Sequence, residues 1–72
     1  MIRYKIDIMQ ALKNAGLSSY KLRHEKIIGE SIMTKYRNNI FIGSTENINF
    51  LCSVLKMQPG DLLEYIPDDS DQ

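Results

Sequence analysis

The 72-residue sequence has a single cysteine, Cys52, and no long apolar run. One cysteine cannot form a disulfide within the chain and cannot by itself build a zinc site. No apolar run approaches the ~18 residues that a membrane-spanning helix needs, and no signal-peptide segment is evident. The length allows one small domain. We therefore expect a cytoplasmic, single-domain protein without a metal site, in which Cys52 serves as a small buried apolar residue.

The sequence also has few of the groups that catalysis requires. His24 is the only histidine, and no cysteine lies near it, which favours a surface histidine over a metal ligand. Asp61 and Glu64 are three residues apart, but no nucleophile or glycine-rich phosphate loop accompanies them. Both fit a solvated helix surface. We expect no enzymatic activity, no cofactor and no small-molecule ligand.

A net charge of zero conceals a strong asymmetry between the two halves of the chain. Eight of the nine basic residues and three of the nine acidic residues lie in residues 1–37, which therefore carry a formal charge of +5. Residues 38–72 carry −5. A basic half favours contact with an anionic partner such as nucleic acid.

Residues 18–37 contain two short helical patterns on either side of a break. Ser18 suits an N-cap, and Leu22 is the inward residue of the first pattern. Met33 and Tyr36 recur at a spacing of three in the second pattern, which marks one buried face. Together they predict a helix-turn-helix unit, with helices over residues 19–27 and 30–38.

The remaining chain predicts three further helices, over residues 7–15, from Ser44, and over residues 59–65. The predicted helix from Ser44 has Glu46 in its first turn, where the helix dipole favours an acid. Residues 68–72 form an acidic tail that we expect to be disordered. The predicted core consists of Ile8, Leu12, Leu22, Ile28, Met33, Tyr36, Ile48, Leu51, Leu55, Leu62 and Leu63.

Two segments leave alternatives open. Residues 1–5 alternate apolar and basic side chains, which is the period of a short strand. A strand without a partner in its own chain either pairs with the same strand of a second copy, through Ile2 and Tyr4, or frays. The apolar loop 40–42 either packs into the core, which we expect for Ile42, or meets a partner subunit, which Ile40 leaves open.

Two stretches of sequence resemble the phage-repressor-like (Cro/C1-type, xenobiotic-response-element) helix-turn-helix family. They are L-R-H-E-K-I-I-G-E-S-I-M-T-K-Y-R and L-C-S-V-L-K-M-Q-P-G-D-L-L-E-Y-I-P-D-D, and the resemblance extends over residues 8–69. The positions in register with the family's two-helix unit are Leu22, Ile28, Ser31, Met33, Lys35 and Tyr36.

The chain departs from the family pattern at two positions. Ile27 lies in the turn where the family prefers glycine, which predicts a turn residue at negative φ or under mild strain. Arg23 replaces the usual small residue, which predicts either a looser helix contact or an arginine stem that covers the core with its charge in water.

The resemblance implies an all-α, five-helix lambda-repressor-like DNA-binding domain over residues 1–67, to which the short β-strand predicted from the alternation of residues 1–5 would be an addition. It implies a sequence-specific, double-stranded DNA-binding transcriptional regulator, acting as a repressor and as a homodimer on a palindromic operator. Helix 30–37 would read the major groove, with Glu30, Ser31, Ile32 and Lys35 at the family's base-facing positions. Phosphate contacts are expected from Ser19, Lys21, Thr34, Arg37, Asn38 and Asn39.

Two less specific interpretations compete with this one. The four base-facing residues also fit an ordinary solvated helix surface. Alternatively, the chain is an antirepressor-like protein-interaction module that retains the helix-turn-helix fold. The zero net charge, Glu30 at a base-facing position, Ile27 in the turn and the apolar loop 40–42 favour that alternative.

Overall fold

The computed structural model describes residues 1–67. These residues form five short helices and a two-stranded antiparallel sheet. In chain order the elements are β1 (Ile2–Tyr4), α1 (Ile8–Asn14), α2 (Ser19–His24), α3 (Glu30–Arg37), α4 (Thr45–Leu55), α5 (Pro59–Leu62) and β2 (Leu63–Tyr65). The expected five-helix fold is confirmed. The predicted acidic tail, residues 68–72, lies outside the described residues.

Side-chain caps explain where three of the helices begin. The Asp7 carboxylate accepts from the Gln10 amide, the Ser18 hydroxyl accepts from the Lys21 amide, and the Ser44 hydroxyl accepts from the Asn47 amide. Each cap satisfies a backbone donor that has no partner within its helix. The first-turn position predicted for Glu46 is confirmed.

Helices α1 to α4 end in the same way, with a left-handed residue followed by an amide that bonds back five residues. These amide-to-carbonyl bonds are Leu17 to Leu12, Ile27 to Leu22, Ile40 to Lys35 and Met57 to Cys52. The left-handed residues are Gly16, Lys26, Asn39 and Lys56. This Schellman-type ending satisfies carbonyls that the helix leaves free. It stops α2 at His24, three residues before the predicted end.

Gly16 allows the cost of the left-handed position to be measured separately from any clash. Its φ is +91°, and a Cβ built there meets nothing within 4 Å. Gly16→Ala should lower the free energy of unfolding by about 1–2 kcal/mol through backbone strain alone. The matched change Gly60→Ala, in α5 and also in open space, should be neutral or stabilise by up to about 1 kcal/mol. Urea unfolding of both variants measures the difference, and equal effects would contradict the assigned strain.

The C-terminal helix was predicted to reach Tyr65, and that prediction is wrong. Helix α5 ends at Leu62, and Leu63 is already extended, with φ −119° and ψ 153°. The following strand pairs with β1 in the register Ile2–Tyr65, Arg3–Glu64 and Tyr4–Leu63. An ion pair of 2.8 Å between Arg3 Nε and Glu64 Oε2 joins the two strands.

This pairing also corrects the expectation that β1 lacks a partner in its own chain. The strand is not frayed, and Tyr4 is 3% exposed within the core. The Tyr4 side chain is therefore not available to a second copy. Ile2 remains 49% exposed and Tyr65, opposite it, 64% exposed.

Seven of the predicted core residues are buried, and Tyr4 joins them. The buried apolar residues are Tyr4, Ile8, Leu12, Leu22, Met33, Tyr36, Leu51 and Leu62. Four predicted core residues are only half-buried, namely Ile28, Ile48, Leu55 and Leu63. Cys52 is half-buried as well, against the core.

The apolar loop 40–42, which follows α3, packs in part against the core, as predicted for Ile42. Ile42 is half-buried against the core, whereas Ile40 is 49% exposed. Phe41 meets the Tyr4 ring edge to face, with ring centroids 5.5 Å apart. The loop thus contributes two of its three apolar side chains to packing.

Candidate functional site

Helix α3 presents a polar outer face opposite a buried one. Met33 and Tyr36 are 0% and 1% exposed. At 100° per residue, Ser31, Thr34 and Lys35 point away from that buried pair, and all three are exposed. The helix therefore offers short polar and basic side chains to an external partner, on a surface the described residues do not cover.

A buried polar network holds α3 in place. The Tyr36 hydroxyl donates to Asn47 Oδ1. Asn47 Nδ2 donates to the Tyr4 hydroxyl at 2.9 Å and to the Ile42 carbonyl at 3.2 Å. The Ile42 amide in turn donates to the Tyr4 hydroxyl at 3.2 Å. One amide side chain on α4 thus links β1, α3 and the loop between α3 and α4.

Burial raises the pKa of the Tyr36 hydroxyl well above its ordinary value of 10.0, and the nearby Tyr4 raises it further. Because the pKa of Tyr36 is higher in the folded state than in the unfolded state, its hydroxyl contributes fully to the stability of the fold below about pH 10. This contribution is lost as the pH rises further. The hydroxyl therefore remains a hydrogen-bond donor throughout the neutral range.

Glu30, the first residue of α3, is not a free carboxylate. Its Oε2 accepts from Arg23 Nε on α2 at 2.5 Å, and both side chains are more than half exposed, 64% and 53% respectively. The Arg23 guanidinium is thus exposed to solvent, as one of the two interpretations predicted. The sequence did not indicate that Glu30 would be its partner. Ile27 has a negative φ, which was one of the two alternatives for this turn residue, while the left-handed position of the turn belongs to Lys26.

The structure does not bring Ile32 together with the other base-facing candidates. Ile32 is half-buried and packs against the core beside α4. It lines an open groove of about 330 Å³ with Ile27, Ile28 and Phe50. We therefore assign its side chain to packing, because helical geometry turns it about 100° from Ser31 toward α4.

Among the described residues, some of the phosphate-facing candidates are simply exposed, whereas others already make hydrogen bonds within the protein. Lys21, Arg37 and Asn38 are exposed, and Ser19 is half-buried. The Thr34 hydroxyl donates to the Glu30 carbonyl at 3.0 Å, which leaves its oxygen as an acceptor.

Asn39, by contrast, has a structural role. Its Oδ1 accepts from the Ile8 amide and its Nδ2 donates to the Ile6 carbonyl, both at 3.0 Å. This amide holds the segment before α1 against the end of α3. We therefore assign Asn39 to the fold rather than to phosphate contact.

Two basic residues of the N-terminal strand region lie near the end of α3 and were not assigned from the sequence. Arg3 and Lys5 line an open cleft of about 500 Å³ with Arg37 and Asn38. Arg3 is paired with Glu64, and Lys5 Nζ donates to the Gly60 carbonyl at 3.2 Å. The alternation of residues 1–5 placed these basic side chains outward, but nothing in it indicated the end of α3.

Residues 1–67 do not support a metal site or a membrane-spanning helix. No group of three or more histidine, cysteine, aspartate or glutamate side chains there is arranged to hold a metal ion. Within the same range, no helix is both long enough and apolar enough to cross a membrane. His24 lies on the surface of α2 and stacks on the Tyr20 ring, with centroids 5.2 Å apart.

Residues 5–68 match the family model described as the Cro/C1-type HTH DNA-binding domain. No curated protein and no solved structure matches the chain. The family match covers the whole helix-turn-helix unit and all five helices.

Proposed function

Because the chain belongs to the Cro/C1-type helix-turn-helix DNA-binding domain family, we propose that it is a transcriptional repressor that reads duplex DNA with α3. The observation that carries this proposal is the uncovered outer face of α3, with Ser31, Thr34 and Lys35 opposite the buried Met33 and Tyr36. A single helix fits the major groove, where polar side chains discriminate among base pairs. Occupancy of an operator then suffices to block a promoter.

Individual side chains have distinct roles in this interface. Lys35 donates to guanine O6 and N7, Ser31 donates or accepts at a base edge, and Glu30 accepts from cytosine N4. Lys21, Arg37 and Asn38 contact phosphates. Thr34, whose hydroxyl already donates to the Glu30 carbonyl, also contacts a phosphate, and the half-buried Ser19 makes a weaker phosphate contact. Selection of bound fragments from random duplex DNA tests the proposal. Enrichment of one palindromic sequence supports it, and failure to enrich any sequence contradicts it.

The homodimer is part of the same proposal. Ile2 and Tyr65 form an exposed apolar pair across the two strands, and a second copy would remove that pair from water. Two copies related by a two-fold axis would meet half-sites about one helical turn, roughly 34 Å, apart. The cytoplasmic location stays a prediction.

Lys35→Ala should relax sequence preference. Loss of the ammonium group removes a donor to one base, so discrimination at one base pair should fall by ~1–3 kcal/mol. Competition among duplexes that differ at single positions measures it, with Lys13→Ala on the exposed side of α1 as the charge-matched control. An equal loss of affinity for every duplex would assign Lys35 to a phosphate instead.

Lys21→Ala should act differently. A phosphate contact carries no sequence information, so affinity should fall evenly across duplexes, and the slope of log K against log salt should shrink by about one. Fluorescence anisotropy from low to moderate salt measures the slope. A loss confined to one base pair would refute the phosphate role.

The apolar groove formed by Ile27, Ile28, Ile32 and Phe50 favours a second candidate function, an antirepressor-like module that binds a protein. Salt dependence distinguishes the two. Phosphate binding weakens steeply as salt increases, whereas an apolar contact does not. Salt-independent formation of a stable protein complex, without retention on duplex DNA, would favour the second function.

A further inference from the structure

The ion pair between Arg23 and Glu30 spans the turn of the helix-turn-helix unit. Arg23 is the penultimate residue of α2, and Glu30 is the first residue of α3. The 2.5 Å contact uses one guanidinium nitrogen, Nε, and one carboxylate oxygen, Oε2. The two ends of the turn are thus linked by side chains as well as by backbone.

Within residues 1–67, this geometry leaves the other polar atoms of both groups without a hydrogen-bond partner. Glu30 Oε1 is available to accept from a donor outside the chain, and the terminal guanidinium nitrogens of Arg23 remain available to an anion. The planar guanidinium forms directional bonds to carboxylates, so it restricts where the carboxylate lies. It also offsets the negative charge that would otherwise oppose approach to phosphates.

A glutamate side chain without a partner samples many rotamers, and ordering it on binding reduces affinity and selectivity. We propose that Arg23 is a positioning residue that holds the Glu30 carboxylate at the base edge, so that an α2 side chain without any base contact sets a preference for cytosine at one base pair. This inference rests on the proposed DNA-binding function and adds a specificity role to it.

The test compares Arg23→Ala, Glu30→Ala, the double variant and the conservative Arg23→Lys, with Lys13→Ala as the charge control. Each is titrated against the selected duplex and against duplexes substituted at single base pairs. We expect the wild-type chain to prefer C·G about tenfold at one pair, and Glu30→Ala to abolish that preference. Arg23→Ala should reduce it at least threefold at the same pair only, with partial recovery in Arg23→Lys.

The double variant separates positioning from a simple phosphate contact. Its preference at that pair should equal that of Glu30→Ala alone, because Arg23 acts through Glu30. The inference is overturned if Arg23→Ala lowers affinity equally for all duplexes and leaves the preference intact, or if Glu30→Ala leaves it intact. Absence of any duplex binding by the wild-type chain would overturn the proposed function, and this inference with it.

Discussion

Asn47→Leu is expected to lower the free energy of unfolding by about 2–4 kcal/mol, a large fraction of the stability of so small a domain. Leucine has nearly the shape of asparagine, so no large cavity results. The Tyr4 and Tyr36 hydroxyls and the Ile42 carbonyl, however, lose their bonds to the Asn47 amide. Buried polar groups left unpaired carry the desolvation penalty in full. Urea unfolding at neutral pH measures the change.

A double variant provides the control. Tyr36→Phe, added to Asn47→Leu, removes the hydroxyl that the leucine leaves without a partner, whereas the Tyr4 hydroxyl still accepts from the Ile42 amide. The double variant should therefore be more stable than Asn47→Leu alone, because replacing both partners by apolar groups can be nearly neutral. If the double variant is instead less stable than the single one, the stabilising role of the network is wrong.

Ser31→Glu is expected to weaken duplex binding at least about a hundredfold while the fold stays intact. Ser31 points directly away from the buried face of α3 and is exposed. A carboxylate there would face the DNA phosphates and base acceptors at close range, in a partly desolvated groove. An acid in the first turn of a helix is favoured by the helix dipole, so stability should not fall. Anisotropy titration at low salt measures the loss.

Ser53→Glu is the matched control, because Ser53 is an exposed serine on α4. The same charge change there should alter affinity only slightly, through the screened long-range field. Equal losses in the two variants would mean that net charge, rather than the outer face of α3, determines binding. Unchanged binding by Ser31→Glu would remove α3 from the interface.

Local patterns in the sequence predicted most of the helical frame. Ser18 and Ser44 are caps whose partners lie three residues away, and Met33 and Tyr36 mark their face by spacing alone. The end of the last helix and the partner of β1 could not be found this way. The pairing of Ile2 with Tyr65 joins the two ends of the described chain, and no local periodicity encodes such a contact.

The candidate site was predicted less completely than the fold, for the same physical reason. Ser31 and Lys35 project outward as helical geometry requires, but Ile32 lies on the flank, where neighbouring α4 decides its environment. Asn47 was missed because a buried polar residue breaks the apolar pattern by which core positions are recognised. The Arg23–Glu30 pair depends on how α2 and α3 are placed across the turn, which their sequences do not specify separately.

In the proposed function, the outer face of α3 lies against DNA. This contact can be tested by titrating the ¹⁵N-labelled chain with its selected duplex at low salt and measuring the chemical-shift changes of the backbone amides. We expect the largest shifts at Ser31, Thr34 and Lys35, with little change along the exposed side of α4 around Ser53. Shifts centred on α4, or none with any duplex, would contradict it.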